Sequence, residues 1–338
     1  LNASADLAGE LPEEITSVFD GYDKLCAESE ISALISETEI CNSLAEGQKG
    51  TVIVPVTPFY ATMGGQKGDI GVITTAGGTF KVLDTVKLTG ERIGHVGEVV
   101  SGCVSVSEKA TLCVDTDNRM STCKNHSATH LLQKALKEVL GDHVEQQGSY
   151  QDSARTRFDF SHSQAMTAEE LVKVEQIVNA QIVANLAVVT EEMSIEDAKK
   201  KGAMALFGEK YGDVVRVVKA GEYSTELCGG THAENTGKIG MFKIVSESSV
   251  ASGVRRIEAV TGLNALNFVN ELNTSLLKTA AVLKCSASAV TDKAAALSNE
   301  LKVKEKTIEK LNSELASAKA ARLSHQEILF HCRPPRNI

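Results

Sequence analysis

The chain has 338 residues, 42% of them hydrophobic and 23% charged, a balance that buries a core and excludes disorder over most of the length. No apolar run approaches the roughly 18 residues of a membrane-spanning helix. Leu1-Asn2-Ala3-Ser4 carries neither the basic nor the apolar part of a signal peptide. This start without Met reads as a cut through a longer chain. The net charge of −9 sits in residues 1–50, where eleven acids face two bases. The remainder is neutral on balance, and residues 199–258 hold ten bases against seven acids. Charge therefore does not exclude a nucleic-acid partner, which needs only a local basic face.

Leu11, Ile15, Val18 and Phe19 fall at helical spacing, so residues 10–30 read as the end of a helix. Residues 31–118 change character. Short β-rich runs at 31–35, 50–56, 71–75, 79–86, 94–100 and 111–114 are separated by Gly-containing turns, which predicts a small antiparallel β-barrel. Residues 125–140 return to helical period and stop at Gly141. Residues 157–160 alternate like a strand. Thr167 with Glu170 three residues later forms a capping box, predicting a helix from there to about 187. Strands follow at 188–193, 213–218, 239–247 and 255–260, with a short helix at 194–201. Helices among antiparallel strands predict a two-layer α/β domain over 119–262. Leu297, Leu301, Lys304, Ile308, Leu311 and Leu315 then form a short heptad seam. It is too short to demand a second chain, and a helical hairpin can also cover it. The last residues, 325–338, show no coherent period. The expected class is α+β, with segments 1–25 (end of a preceding helical domain), 26–118 (barrel), 119–262, 263–322 (helical) and 323–338 (unassigned).

Two spaced pairs carry the chemistry. His126 and His130 stand i, i+4 on the predicted helix, one turn apart on one face. Cys228 and His232 have the same spacing in the loop Cys-Gly-Gly-Thr-His, where glycines let both side chains converge. Three imidazoles and a thiolate suit one zinc ion. His-Ser-Ala-Thr-His lacks the internal Glu of a metalloprotease helix. Four protein ligands usually close a structural site, whereas a catalytic site keeps a position open; the sequence leaves both standing. The eight Cys form no Cys-x-x-Cys pair, and without a secretory signal they predict reduced thiols and a cytoplasmic location. Tyr60 to Gly71 reads as a pair of tight turns. Gln146 borders the pocket or is a loop amide. His143 and His162 are candidate acid–base groups. Neither Ser127 nor Ser149 sits in a nucleophile elbow.

NHSATHLLQKALKEVLGDHVEQQGS at 125–149, RFDFSH at 157–162 and ELCGGTHAENTGKIGMFKIVSESSVASGVRRIEAVTG at 226–262 resemble the editing domain of alanyl-tRNA synthetases, a module also found in free-standing proteins. PFYATMGGQKGDIG at 58–71 resembles the family's FYAESGGQxGDxG signature, with Thr62-Met63 in place of Glu-Ser. The resemblance covers residues 19–322. It implies one zinc held by His126, His130, Cys228 and His232, and hydrolysis of seryl- and glycyl-tRNA(Ala) bound by its acceptor end. Thr129 falls where the family faces the aminoacyl group, and Gln146 in a segment bordering that pocket. The aminoacylation domain and its ATP motifs would lie N-terminal of this segment. The heptads resemble the start of the family's C-terminal domain, through which a homodimer forms. Residues 325–338 match nothing in the family.

Two functions stand at this point. One is a zinc-dependent aminoacyl-tRNA deacylase; the other is a non-catalytic tRNA-binding module with structural zinc. Arg255 and Arg256 are the expected phosphate contacts. Deacylation of seryl-tRNA separates the two readings.

Overall fold

The computed structural model describes residues 7–200 and 214–331. The chain divides into two units, Leu1–Asn267 and Phe268–Ile338. In the first, nine strands between Cys26 and Val114 form one antiparallel sheet. Its long central strands are Gly78–Leu88 and Arg92–Ser105. Alternation drives the burial: Ala110, Leu112 and Val114 of Lys109–Val114 point inward between less buried neighbours. They pack with Leu34, Val52, Phe59, Ile73 and Phe80. The expected α+β class holds, and the expected barrel is met as this antiparallel sheet, short of closure. The edge strands Cys26–Glu30 and Ile40–Cys41 do not pair with each other among the described residues, so hydrogen bonding leaves the sheet open.

Two further expectations fail here. Residues 10–30 hold no helix; the helical residues Leu7–Ala8 lie before them. Val18–Phe19 is instead a strand parallel to Val56–Thr57, because Val18 and Asp20 donate to Pro55 and Thr57 carbonyls rather than to their own turn. The helical spacing of Leu11 and Ile15 serves packing against Ala33, Ile35 and Ile53. Nor are all thiols reduced: Cys26 and Cys113 form a disulfide. They lie directly opposite in the ladder between Cys26–Glu30 and Lys109–Val114, a juxtaposition that spacing 87 residues apart does not reveal.

A second core follows. The helix Thr116–Leu140 begins at the cap Asp115, whose side chain accepts from the Asn118 amide. It starts nine residues before the apolar period becomes visible. Its residues Ala128, Leu131, Leu132 and Leu136 pack on Phe158, Phe160, Ile257 and Phe242 from a four-stranded antiparallel sheet. That sheet runs Gln146–Gln151, Thr156–Ser161, Val254–Thr261, Phe242–Ala251. The helix Ala168–Val183 carries the expected Thr167–Glu170 capping box and adds Val174, Val178 and Ile182 to the same core. A three-stranded antiparallel sheet, Val188–Ser194, Val214–Ala220 and Ser224–Leu227, completes this part.

The segment past Gly262 is mostly helical, as Gly262–Leu283 and Val290–His331, with a break at residues 284–286 and one 3-10 turn, Ala287–Ala289, between them. The second helix runs on through residues 325–331, where the sequence suggests no period; residues 332–338 lie outside the described part. The heptad seam is not covered by a hairpin: Leu301, Ile308, Leu311 and Leu315 are each more than half exposed. No described helix is long and apolar enough to cross a membrane.

The two cores of the first unit meet through a buried ion pair. Arg119 on the histidine helix and Asp69 in the loop before Gly71–Thr75 are both 2% exposed. The Arg119 Nε donates to Asp69 Oδ1 at 2.9 Å, and its other nitrogens donate to the Gly21 and Pro58 carbonyls at 2.7 and 2.8 Å. The Tyr60 amide also donates to Asp69, at 2.6 Å. Breaking such a pair leaves an uncompensated buried charge. Asp69→Ala is therefore expected to lower the unfolding free energy by about 3–5 kcal/mol, read by urea denaturation. A loss under about 1 kcal/mol would place the pair among surface-like bridges and contradict this account.

Candidate metal centre

His126, His130, Cys228 and His232 converge. One ligand atom from each lies within 4.8 Å of all the others. Cys228 Sγ is 3.4 Å from His126 Nε2 and 3.3 Å from His232 Nε2. The pairs come together for separate local reasons. Helical pitch stacks His126 over His130, with ring centroids 5.4 Å apart. The Cys228–His232 loop leaves the strand Ser224–Leu227 and is gripped by Arg216 of the adjacent strand. That guanidinium donates to the Cys228 and Gly230 carbonyls at 3.0 and 2.7 Å.

Each imidazole is aimed from behind. His126 Nδ1 donates to Gln66 Oε1 at 2.8 Å, leaving Nε2 turned toward the sulfur. His232 Nδ1 meets Ser127 Oγ at 3.1 Å, and His130 Nδ1 lies 3.5 Å from Glu226 Oε2. Outer partners of this kind fix a ligand's tautomer and orientation. Burial holds all three imidazoles below their usual range, His130 at about 4. They are neutral at pH 7, as metal ligands must be. Burial pushes Glu226 up to about 8. The Gly230 amide faces Cys228 Sγ at 3.4 Å, a donor that favours thiolate. The donor set and its second layer fit one metal ion.

Gln66 was missed by sequence reasoning, which takes residues 60–71 as turns of the first sheet. The loop instead reaches across to the metal centre. Gln66 is fully buried; its Oε1 also accepts from the Thr231 amide at 2.9 Å, and its Nε2 donates to Thr231 Oγ1 at 2.8 Å. Two glycines make this approach feasible. Gly65, at φ +84°, would place a Cβ 2.3 Å from Ser149 Oγ; a Cβ on Gly230 would lie 2.1 Å from the His126 ring.

A pocket of about 80 Å³ opens on the ligands, the volume of roughly two to three waters. Thr129 and Gln146 both line it. Gln146 opens the strand Gln146–Gln151 rather than lying in a loop. Thr129 Oγ1 donates to the Asn125 carbonyl at 2.8 Å and pairs with Thr156 Oγ1 at 2.6 Å. Its proton is thus committed within the protein. Gln133 and Gln151 line the pocket too, and neither was expected. Gln151 is fully buried, and neither end of its side-chain amide has a partner. The signal that could have found it is alternation, since Gln151 follows Ser149 on one face of a strand.

Other expected residues stay apart. His143 and His162 bond each other at 2.9 Å on the surface and do not line the pocket. Arg255 and Arg256 are already paired within the sheet: Arg255 grips Glu247 at 2.6 Å and Arg256 grips Asp159 at 2.7 Å. Residues 201–213, which carry two of the ten bases of the 199–258 stretch, lie outside the described residues.

Gln66→Leu keeps all four ligands but frees the His126 ring. Metal affinity should fall about 10- to 100-fold, measured by competition with a chromophoric chelator. Unchanged affinity would show that the loop only abuts the site.

The comparisons follow this geometry. The model of the threonyl and alanyl tRNA synthetase second additional domain matches residues 215–258, and that of the class II (A) tRNA synthetases matches residues 2–118. The chain is 51% identical over 317 residues to alanine–tRNA ligase 1 of Lachnoclostridium phytofermentans, covering 94% of this chain and 36% of that protein. It is 48% identical over 319 residues to the alanine–tRNA ligase of Pseudoalteromonas translucida, with the same two shares, and 47% over 312 residues to that of Delftia acidovorans, covering 92% and 36%. The chain spans just over a third of the length of these curated relatives. With one match across the first sheet, another through the cysteine loop, and about half of its residues shared along nearly its whole length, the chain belongs to the alanyl-tRNA synthetase family.

Proposed function

We propose that this part of an alanyl-tRNA synthetase hydrolyses mischarged tRNA(Ala), seryl- and glycyl-tRNA, held by its acceptor end. The observation that carries the reading is a small pocket, lined by a buried unpartnered amide, opening directly on the His₃Cys cluster. The donor set of three neutral imidazoles and one thiolate suits zinc. Zinc bound there would supply a fixed positive charge toward which an ester or amino group orients.

The chain's own residues do the rest. An aminoacyl ester is already activated, so holding it in place beside a water meets much of the need. The pocket admits only a small aminoacyl group. Thr129 limits it sterically, since its proton is spent on Asn125 or Thr156 and cannot be donated to substrate. Gln151 is the side chain with both a donor and an acceptor unspent, and it sits opposite Thr156 in the ladder. A buried polar group left without a partner costs free energy, and a substrate hydroxyl relieves it. Serine is thereby favoured over alanine. Gln146 borders the same space.

A second reading, a tRNA-binding module with structural zinc, draws on the four protein ligands, which ordinarily close a site. Purified protein given seryl-tRNA(Ala), with alanyl-tRNA(Ala) as control, decides. Rapid seryl release that a strong chelator abolishes is the expected outcome; release at the buffer rate would leave the structural-zinc module.

Two variants test selectivity. Thr129→Gly should retain metal yet hydrolyse correctly charged alanyl-tRNA(Ala), an effect worth roughly 10- to 200-fold at most for one methyl group. An unchanged seryl-to-alanyl rate ratio in a stable variant would reduce Thr129 to a helix residue. Gln151→Leu should lower the seryl-to-glycyl ratio of kcat/KM by tenfold or more, because only serine carries the hydroxyl. A ratio that stays put, with folding intact, would remove Gln151 from substrate recognition.

A further inference from the structure

Three consecutive carbonyls of the cysteine loop, those of Cys228, Gly229 and Gly230, accept side-chain hydrogen bonds, and two side chains supply all three. Arg216 takes the outer two. The middle one belongs to Tyr22, whose hydroxyl donates to the Gly229 carbonyl at 2.8 Å from 207 residues away in sequence. The two side chains also hold each other. The Arg216 guanidinium lies over the Tyr22 ring, 4.0 Å from its centroid, within the reach of a cation–π contact.

Holding these carbonyls decides where the amides point. A peptide unit is planar and trans, so its C=O and the N–H of the following residue face opposite ways. The Gly229 carbonyl and the Gly230 N–H share one such plane. With the carbonyl turned to Tyr22, the N–H faces Cys228 Sγ at 3.4 Å. The next plane repeats the arrangement: the Gly230 carbonyl meets Arg216, and the Thr231 N–H donates to Gln66 at 2.9 Å. Glycine at both positions leaves the turn free to be set from outside.

Tyr22 is itself well placed to set it. The Gly21 carbonyl just before it accepts from the buried Arg119 at 2.7 Å, the Asp20 amide donates to the Thr57 carbonyl at 2.8 Å, and the Phe19 ring stands edge-on 4.9 Å away. Yet Tyr22 is 43% exposed, so its hydroxyl could have faced water without cost to a core. It lies in the part matched by the class II (A) model, whereas the loop it holds lies in the part matched by the second additional domain.

We infer that Tyr22 is a positioning residue of the metal centre: by holding the Gly229 carbonyl outward, it aims the Gly230 N–H at the ligand sulfur of Cys228. A donor at the sulfur draws electron density from the thiolate, so a residue of the first sheet's side of the molecule tunes a ligand on the other. The inference goes beyond the proposed hydrolysis and holds whether or not the chain deacylates tRNA.

The test uses the full chain carrying cobalt(II) in place of zinc, with Tyr22→Phe, which keeps the ring over Arg216 and removes the donor, and Tyr22→Ala, which removes both. A thiolate that loses a hydrogen-bond donor is easier to oxidise, so the sulfur-to-cobalt charge-transfer band should move to longer wavelength in both variants. Release of zinc to excess chelator should quicken about 2- to 12-fold in Tyr22→Phe, the worth of one net hydrogen bond, and at least as much in Tyr22→Ala. The band decides. If it stays in place in both variants the inference is overturned, even where release quickens, because a loosened fold speeds release without touching the sulfur. That failure leaves the hydrolytic reading intact, and a protein that shifts its band but never deacylates seryl-tRNA loses only the hydrolytic reading.

Discussion

Gln66 spends both ends of one amide between two cores. Its oxygen orients the His126 ring and accepts from the Thr231 amide; its nitrogen donates to the Thr231 hydroxyl. Three residues further on, Asp69 closes a buried pair with Arg119, seven residues before His126 on the same helix. The loop from the first sheet is thereby fixed at the level of the helix axis and at the level of a ligand ring. A shift of that loop would turn His126 and move the Cys228–His232 loop together. The metal centre is thus a product of three segments, not a motif carried by one of them.

That dependence explains the polar density around the cluster. Each neutral imidazole aims one nitrogen at the cluster, while its Nδ1 faces an outer group from a different place: Gln66, Ser127 or Glu226. In a low-dielectric interior the bonds to Gln66 and Ser127 are strong when made and costly when missing. Burial raises the Glu226 carboxyl well above the usual carboxylate range. Against this satisfied background the unpartnered Gln151 amide stands out. It marks where the protein leaves hydrogen-bonding capacity for something it does not itself contain.

Local chemistry was legible and long-range chemistry was not. The Thr167–Glu170 capping box, the strand Gly71–Thr75 and the i, i+4 pairs follow from spacings of a few residues, and the structure keeps them. The start of the histidine helix was hidden because residues 116–124 are mostly polar and only the Asp115 cap announces it. Residues 10–30 misled because apolar residues at helical spacing also suit an irregular segment whose amides bond a neighbouring strand. The Cys26–Cys113 bond, the open edge of the sheet and the ion pairs that occupy Arg255 and Arg256 all depend on strand register. Register is a tertiary property that no local window contains. Gln66 and Gln151 escaped for the same reason: glutamine in a loop or at a strand end carries no signal until its neighbours are known.

The central claim is that the four side chains hold a single metal ion as one His₃Cys set. X-ray absorption at the zinc edge of the purified protein tests it most directly. The account predicts one sulfur at about 2.3 Å and three nitrogens at about 2.0–2.1 Å, with the sulfur contribution gone in Cys228→Ala. A zinc shell with no sulfur in the unaltered protein would contradict it.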